Sequence, residues 1–122
     1  MKRKFIFIDD DPICNMISRQ IIRNEFPEAD MSIFESARLA LAHLEEMNEG
    51  EKGMKTWIFL DLNMPEMNGF EFLEEFSKRM DSLTDIEVKV LTSSIDDRDR
   101  IRVSNYAFVS GFHSKPFDPS YT

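Results

Sequence analysis

What this sequence has little of narrows its function first. It holds a single cysteine, Cys14, in 122 residues, so neither a disulfide framework nor a cysteine-ligated metal cluster can be built. Basic residues are the minority, 15 Lys and Arg against 23 Asp and Glu, for a net charge of −8. That balance removes the basic patch which nucleic-acid binding and membrane adsorption both require. Apolar runs never exceed four residues. A membrane-spanning helix needs about 20, and no secretory leader pattern opens the chain. Repeats, low-complexity segments and domain boundaries are absent too, so residues 1–122 read as one domain. A reducing cytoplasm is the expected location.

What is present is a strand-helix alternation. Phe5-Ile6-Phe7-Ile8, Met31 to Phe34, Trp57-Ile58-Phe59-Leu60, Val88 to Leu91 and Gly111 to Ser114 read as five strands. Two of them are apolar at every position, the mark of a parallel sheet covered on both faces. Between the strands lie helical patterns. One runs from Pro12 to Glu25, with Asp11 as its N-cap and Ile13, Ile17 and Ile21 on its inner side. The second is capped by Ser36 and continues to Met47, with Leu39, Leu41 and Leu44 apolar. A polar segment, Asn48 to Lys55, then reads as a mobile loop. A third helix runs from Phe70 to Met80, and a fourth opens at Asp96 and carries Ile101, Val103 and Tyr106. Repeated β-α units predict an α/β fold with helices on both faces of a parallel sheet.

In a parallel sheet all strand carboxyl ends share one edge, where such folds bind ligands. Here the first strand ends in Asp9-Asp10, the third in Asp61, the fourth in Thr92-Ser93 and the fifth in Lys115. Any one of these is ordinary turn or cap chemistry. Their convergence is not. Clustered carboxylates call for a cation, and oxygen ligands favour Mg²⁺. An aspartate beside such an ion can attack phosphorus and form an aspartyl phosphate, with an ammonium and a hydroxyl neutralising the phosphoryl oxygens.

The segments FIDDDP, FLDLNMPEMNGFEFL, VLTSS and KPF, in this order, resemble the receiver domain of two-component response regulators over Lys4 to Phe117. The resemblance implies a flavodoxin-like fold with strand order 2-1-3-4-5. It implies Asp61 as phosphoacceptor and Mg²⁺ held by Asp10, Asp61 and the Asn63 backbone carbonyl, with Asp9 acting through water. Lys115 would pair with the phosphoryl group, and the bond before Pro116 would be cis. The family's usual spacing to that lysine selects Ser93 as the switch hydroxyl, with Thr92 as the fallback. Phe112 stands at the aromatic switch position, and Asn63 and Ile95 at positions that tune the lifetime of the phosphorylated form. The implied phosphodonor is a sensor histidine kinase or a histidine phosphotransfer protein. The implied output face lies between Asp96 and Phe112, with neither nucleic acid nor membrane as partner.

Two departures carry consequences. Asn68 replaces the aspartate common before Gly69, at a loop position. After Lys115-Pro116-Phe117 only Asp118 to Thr122 remain, where receivers continue into a fifth helix. The expectation is an extension beyond Thr122 or, failing that, a homodimer or a partner's helix over the bare face. The competing reading is a Mg²⁺-dependent phosphohydrolase of the haloacid dehalogenase type, using the Asp9-x-Asp11 pair. Pro12-Ile13 follows that pair where such enzymes carry Gly-Thr.

Overall fold

The computed structural model describes residues 3–46, 55–79 and 85–122. Strands β1 (Arg3–Ile8), β2 (Asp30–Phe34), β3 (Lys55–Leu60), β4 (Ile86–Thr92) and β5 (Val109–Ser114) alternate with α1 (Pro12–Glu25), α2 (Ala37–Glu46), α3 (Gly69–Arg79) and α4 (Asp97–Val103). All four neighbouring strand pairs are parallel, and the sheet order is β2-β1-β3-β4-β5. This is the doubly wound, flavodoxin-like arrangement expected. Met47, Met80 and residues 48–54 of the polar loop lie outside the described residues.

Strand alternation divides the core in two. Ile6, Ile8, Ile58, Leu60, Val88 and Val90 point to one face and pack with Leu41 and Leu44 of α2 and Phe72, Leu73 and Phe76 of α3. Phe5, Phe7, Phe59 and Leu91 point the other way, with Ile22 of α1 and Phe117. This second face is closed largely by rings. Phe5 stacks on Trp57, Phe7 stacks on Phe59, and Phe117 meets Phe7 and Phe59 edge-on at 5.2 and 4.8 Å. Large rings bury much area per residue, and Phe5, Phe7, Phe59 and Phe117 are each buried. After β5 the chain forms a 3-10 turn, Pro119–Tyr121. Its tyrosine stacks on His113 at 4.1 Å and donates to the Ser114 carbonyl.

Three helices differ from their apolar patterns. α1 buries Asn15, Ser18 and Ile22 and packs Ile21 against the core as expected, while Ile13 and Met16 are each 64% exposed and Ile17 is exposed as well. Its polar stripe faces inward because Asn15 has a bond to make there, described below. In α2 the buried residues are Ala37, Ala40, Leu41 and Leu44, and Leu39 faces water. α4 is short and buries only Val103, so Ile101 is exposed. Tyr106 lies past the helix end and still reaches the core, donating its hydroxyl to Glu74 at 2.6 Å.

Candidate functional site

The site is built at strand ends that are tied to one another by backbone hydrogen bonds. Asp9 N donates to Phe34 O, Asp61 N to Ile8 O and Lys115 N to Thr92 O, at 2.9 to 3.0 Å. These bonds join β1 to β2, β3 to β1 and β5 to β4, and the β3–β4 register, with Leu60 beside Val90, brings the strand ends to one edge.

Lys115 joins two of the carboxylates. Its Nζ lies 2.7 Å from Asp9 Oδ2 and 3.3 Å from Asp61 Oδ2. Asp9 is 6% exposed and Asp61 5%, whereas Asp10 is open to solvent. Oxygens of Asp9, Asp10 and Asp61 lie within 4.8 Å of one another. Burial raises the Asp61 pKa above its ordinary value, against the pull of the Lys115 charge and the Asn63 N–H. Burial alone would lower the Lys115 pKa. Its hydrogen bond to Asp9 and the charges of Asp61 and Asp9 outweigh that and leave it raised.

Three carboxylates against one ammonium leave the cluster at −2 when all are ionised. The donor set is all oxygen, two members are buried, and a divalent cation would bring the sum to zero. These residues therefore fit a hard ion such as Mg²⁺.

The connecting turns have their own local causes. Asp11 caps α1, accepting from Ile13 N at 2.9 Å and Cys14 N at 3.4 Å. Those bonds lower its pKa. Asp9 Oδ1 in turn accepts from Asp11 N at 2.9 Å. After β3, Asp61 Oδ1 accepts from Asn63 N at 3.2 Å. Asn68 begins α3 with a reciprocal capping box: Glu71 N donates to its Oδ1 at 2.9 Å, and its own N–H donates to Glu71 Oε1 at 3.0 Å. Glu66, between Pro65 and Met67, has φ 65°, a left-handed conformation uncommon for a residue with a Cβ. The Lys115–Pro116 bond is cis.

The two candidate hydroxyls occupy different settings. Thr92 is 1% exposed at the end of β4, while Ser93 lies beyond the strand and is open to water. Val88 and Val90 belong to the core cluster against which Phe112 packs. Alternation puts Thr92 on that same face. The register between β4 and β5 shifts: Val88 pairs with Val109 but Lys89 pairs with Gly111. Ser110 is thus an extra residue inside β5, which adds one position between the hydroxyl and Lys115. Phe112 is half-buried with the Arg100 guanidinium 5.4 Å over its ring, and Asn63 and Ile95 are both exposed.

One polar residue beside the site had not been singled out. Asn15, 6% exposed, donates from Nδ2 to the Asp9 carbonyl at 2.8 Å. The available signal was an amide at a helix position whose spacing from Ile22 makes it inward-facing.

A family model for the response regulator receiver domain matches residues 5–121. The hybrid signal transduction histidine kinase C of Dictyostelium discoideum is 29% identical over 121 residues, covering 95% of this chain and 9% of that protein. Response regulator Rcp1 of Synechocystis is 28% identical over 97 residues, covering 79% of this chain and 65% of that protein. The chain thus spans less than two thirds of these curated relatives. Among solved structures, a two-component response regulator from Cytophaga hutchinsonii matches with TM-score 0.87 and 28% identity, covering 97% of this chain and 89% of that one. The Mn²⁺-bound form of Rcp1 shares the fold with TM-score 0.75 and 23% identity, covering 97% of this chain and 84% of that one.

Proposed function

The chain belongs to the response regulator receiver domain family, and from that premise we propose that Asp61 accepts a phosphoryl group from a histidine kinase or a histidine phosphotransfer protein. The observation that carries this reading is Lys115 set between Asp9 and Asp61, at 2.7 and 3.3 Å, with Asp10 beside them. An oxygen of ionised Asp61 attacks phosphorus. The bond from phosphorus to the donor breaks, and the donor atom leaves with its electron pair. Lys115 already lies within reach of the Asp61 carboxylate, so its ammonium meets the incoming phosphoryl oxygens without rearrangement. Asp10, Asp61, the Asn63 carbonyl and, through water, Asp9 would hold Mg²⁺, which supplies the remaining charge neutralisation. A later attack by water on the acyl phosphate returns Asp61, so the chain turns over only its own modification. A phosphohydrolase using Asp9 and Asp11 is not supported, because the Asp11 carboxylate is committed to capping α1.

Incubation with acetyl phosphate and Mg²⁺ tests the reading by intact-protein mass. One added phosphoryl group is expected, and none in EDTA. Undiminished labelling in EDTA would refute the cation's part, and no labelling under either condition would refute the assignment.

For the switch hydroxyl, burial and the shared face with Phe112 favour Thr92 over Ser93. The lifetime-tuning position two residues on then moves from Ile95 to Ser94. Thr92→Ala is expected to keep accepting phosphate while losing most of the amide-shift response between Asp96 and Phe112. Ser93→Ala should keep it. The reverse pattern would return the role to Ser93 and Ile95. That stretch, α4 and β5, is the surface on which we place the output partner. The hybrid kinase relative, which contains a region of this kind, supports a histidine phosphodonor. No helix among the described residues is long and apolar enough to cross a membrane, which accords with the cytoplasmic location proposed for the domain.

A further inference from the structure

We propose that Asn15 is a positioning residue of the acidic site, fixing the Asp9–Asp10 peptide and through it the direction of the Asp10 carboxylate. The inference rests on the cation-binding reading of Asp9, Asp10 and Asp61. Asp10 is the exposed member of the three, and the side chains of its two neighbours are held. Asp9 is paired with Lys115, and Asp11 caps α1. What aims Asp10 is its backbone. The peptide on its amino side carries the Asp9 carbonyl, and the Asn15 amide donates to that carbonyl at 2.8 Å from a buried position. The peptide on its carboxyl side carries Asp11 N, which donates to Asp9 Oδ1 at 2.9 Å. Both planes flanking Asp10 are thereby anchored, one by a side chain of the helix and one by the neighbouring acid.

The geometry also accounts for the polar positions of α1 that face inward. An apolar residue at position 15 would leave a buried carbonyl unpaired, and an unpaired buried polar group is costly. α1 therefore turns Asn15 and Ser18 inward and leaves Ile13 and Met16 in water. Groups behind a metal-binding carboxylate typically influence affinity by 10- to 100-fold. Asn15 acts one bond further back, on the peptide that carries the ligand.

The test is Mg²⁺ affinity, measured by NMR titration on the whole chain without any phosphodonor. Asn15→Leu keeps the branching of the side chain and removes the donor. It is expected to bind Mg²⁺ about tenfold more weakly than the parent, with the largest changes at the Asp10 and Asp11 amides. In the parent, the Asn15 side-chain amide protons should exchange slowly with solvent. Ser18→Ala, an equally inward change on α1, is expected to leave affinity unaltered. If Asn15→Leu does not fold, Asn15→Ser, which is too short to reach the carbonyl, carries the same expectation. Parental affinity in the folded Asn15 variant would overturn the proposal, as would an equal loss in Ser18→Ala, which would mark the effect as helix packing. Failure of the parent itself to bind Mg²⁺ would overturn the cation reading beneath it.

Discussion

Replacing Asp61 with Asn is expected to abolish phosphoryl uptake and, in EDTA, to raise the thermal midpoint of the protein. The first effect follows from chemistry, since an amide lacks the anionic oxygen that attacks phosphorus. The second follows from the cluster's charge. Asp61 is 5% exposed and shares its space with two other carboxylates. Its pKa is raised in the folded state, first by burial. A carboxyl group with a raised folded pKa opposes folding once it is ionised. That cost is absent below its unfolded value and complete above its folded one. The metal-free parent bears that cost wherever Asp61 is ionised, and Asn does not. Lys115 keeps its shorter contact, to Asp9 at 2.7 Å, so no buried ammonium is stranded. A gain of roughly 3–6 °C is expected, the shift that about 1 kcal/mol produces in a domain of this size. It should shrink as the pH falls toward the ordinary carboxylate range, where the parent's Asp61 takes up its proton. Saturating Mg²⁺ should stabilise the parent more than the variant. Calorimetry in EDTA and in Mg²⁺ reads both effects. A variant less stable than the parent without metal would contradict the charge argument, and retained labelling would remove Asp61 from its role.

Much of this was legible in the sequence because apolar runs and their end residues are local signals. Phe5 to Ile8 and Trp57 to Leu60 could only be buried strands, and each is followed at once by acid. The order of the sheet came from the family resemblance, not from periodicity. What stayed hidden was set by distant contacts. α1 carries isoleucines at helical spacing, yet Ile13 and Ile17 face water while Asn15 turns inward to the Asp9 carbonyl. Ser110, a bulge residue in a different strand, bears on the choice between Thr92 and Ser93. A count along the chain cannot register where the extra residue is absorbed. On the face expected to be half bare, Phe5, Phe7, Phe59 and Phe117 are buried among their rings, while Lys89, Gly111 and His113 toward β5 are part-exposed. Large apolar side chains are exposed on α1, at Ile13, Met16 and Ile17, and also at Leu39, Ile95 and Ile101.

Gly69→Ala is expected to be among the more damaging small substitutions in the protein, although it adds one methyl group. α3 begins directly behind the phosphoacceptor strand, and Gly69 N donates to Leu62 O at 3.0 Å. A Cβ at this position would stand 2.7 Å from both the Asp61 carbonyl oxygen and Leu62 Cα, and 2.9 Å from Leu62 Cδ2. Two of those three atoms are backbone. They cannot swing aside as a side chain can, so the helix start must move away from the end of β3. Overpacking of this kind costs about 1–3 kcal/mol, a fall of roughly 5–15 °C in the thermal midpoint. The displacement also acts on the residue that carries the chemistry, because the crowded carbonyl belongs to Asp61 itself. Misplacement of a reacting group by about 1 Å can cost 10²-fold in rate, so phosphorylation by acetyl phosphate should slow at least tenfold even in saturating Mg²⁺. Gly111→Ala provides the contrast. Its Cβ would meet His113 Nε2 at 2.5 Å, the edge of a ring that can rotate, so a milder loss of stability and a near-parental rate are expected. If Gly69→Ala matched the parent in both midpoint and rate, close approach of the α3 start to Asp61 would not be what this glycine is for.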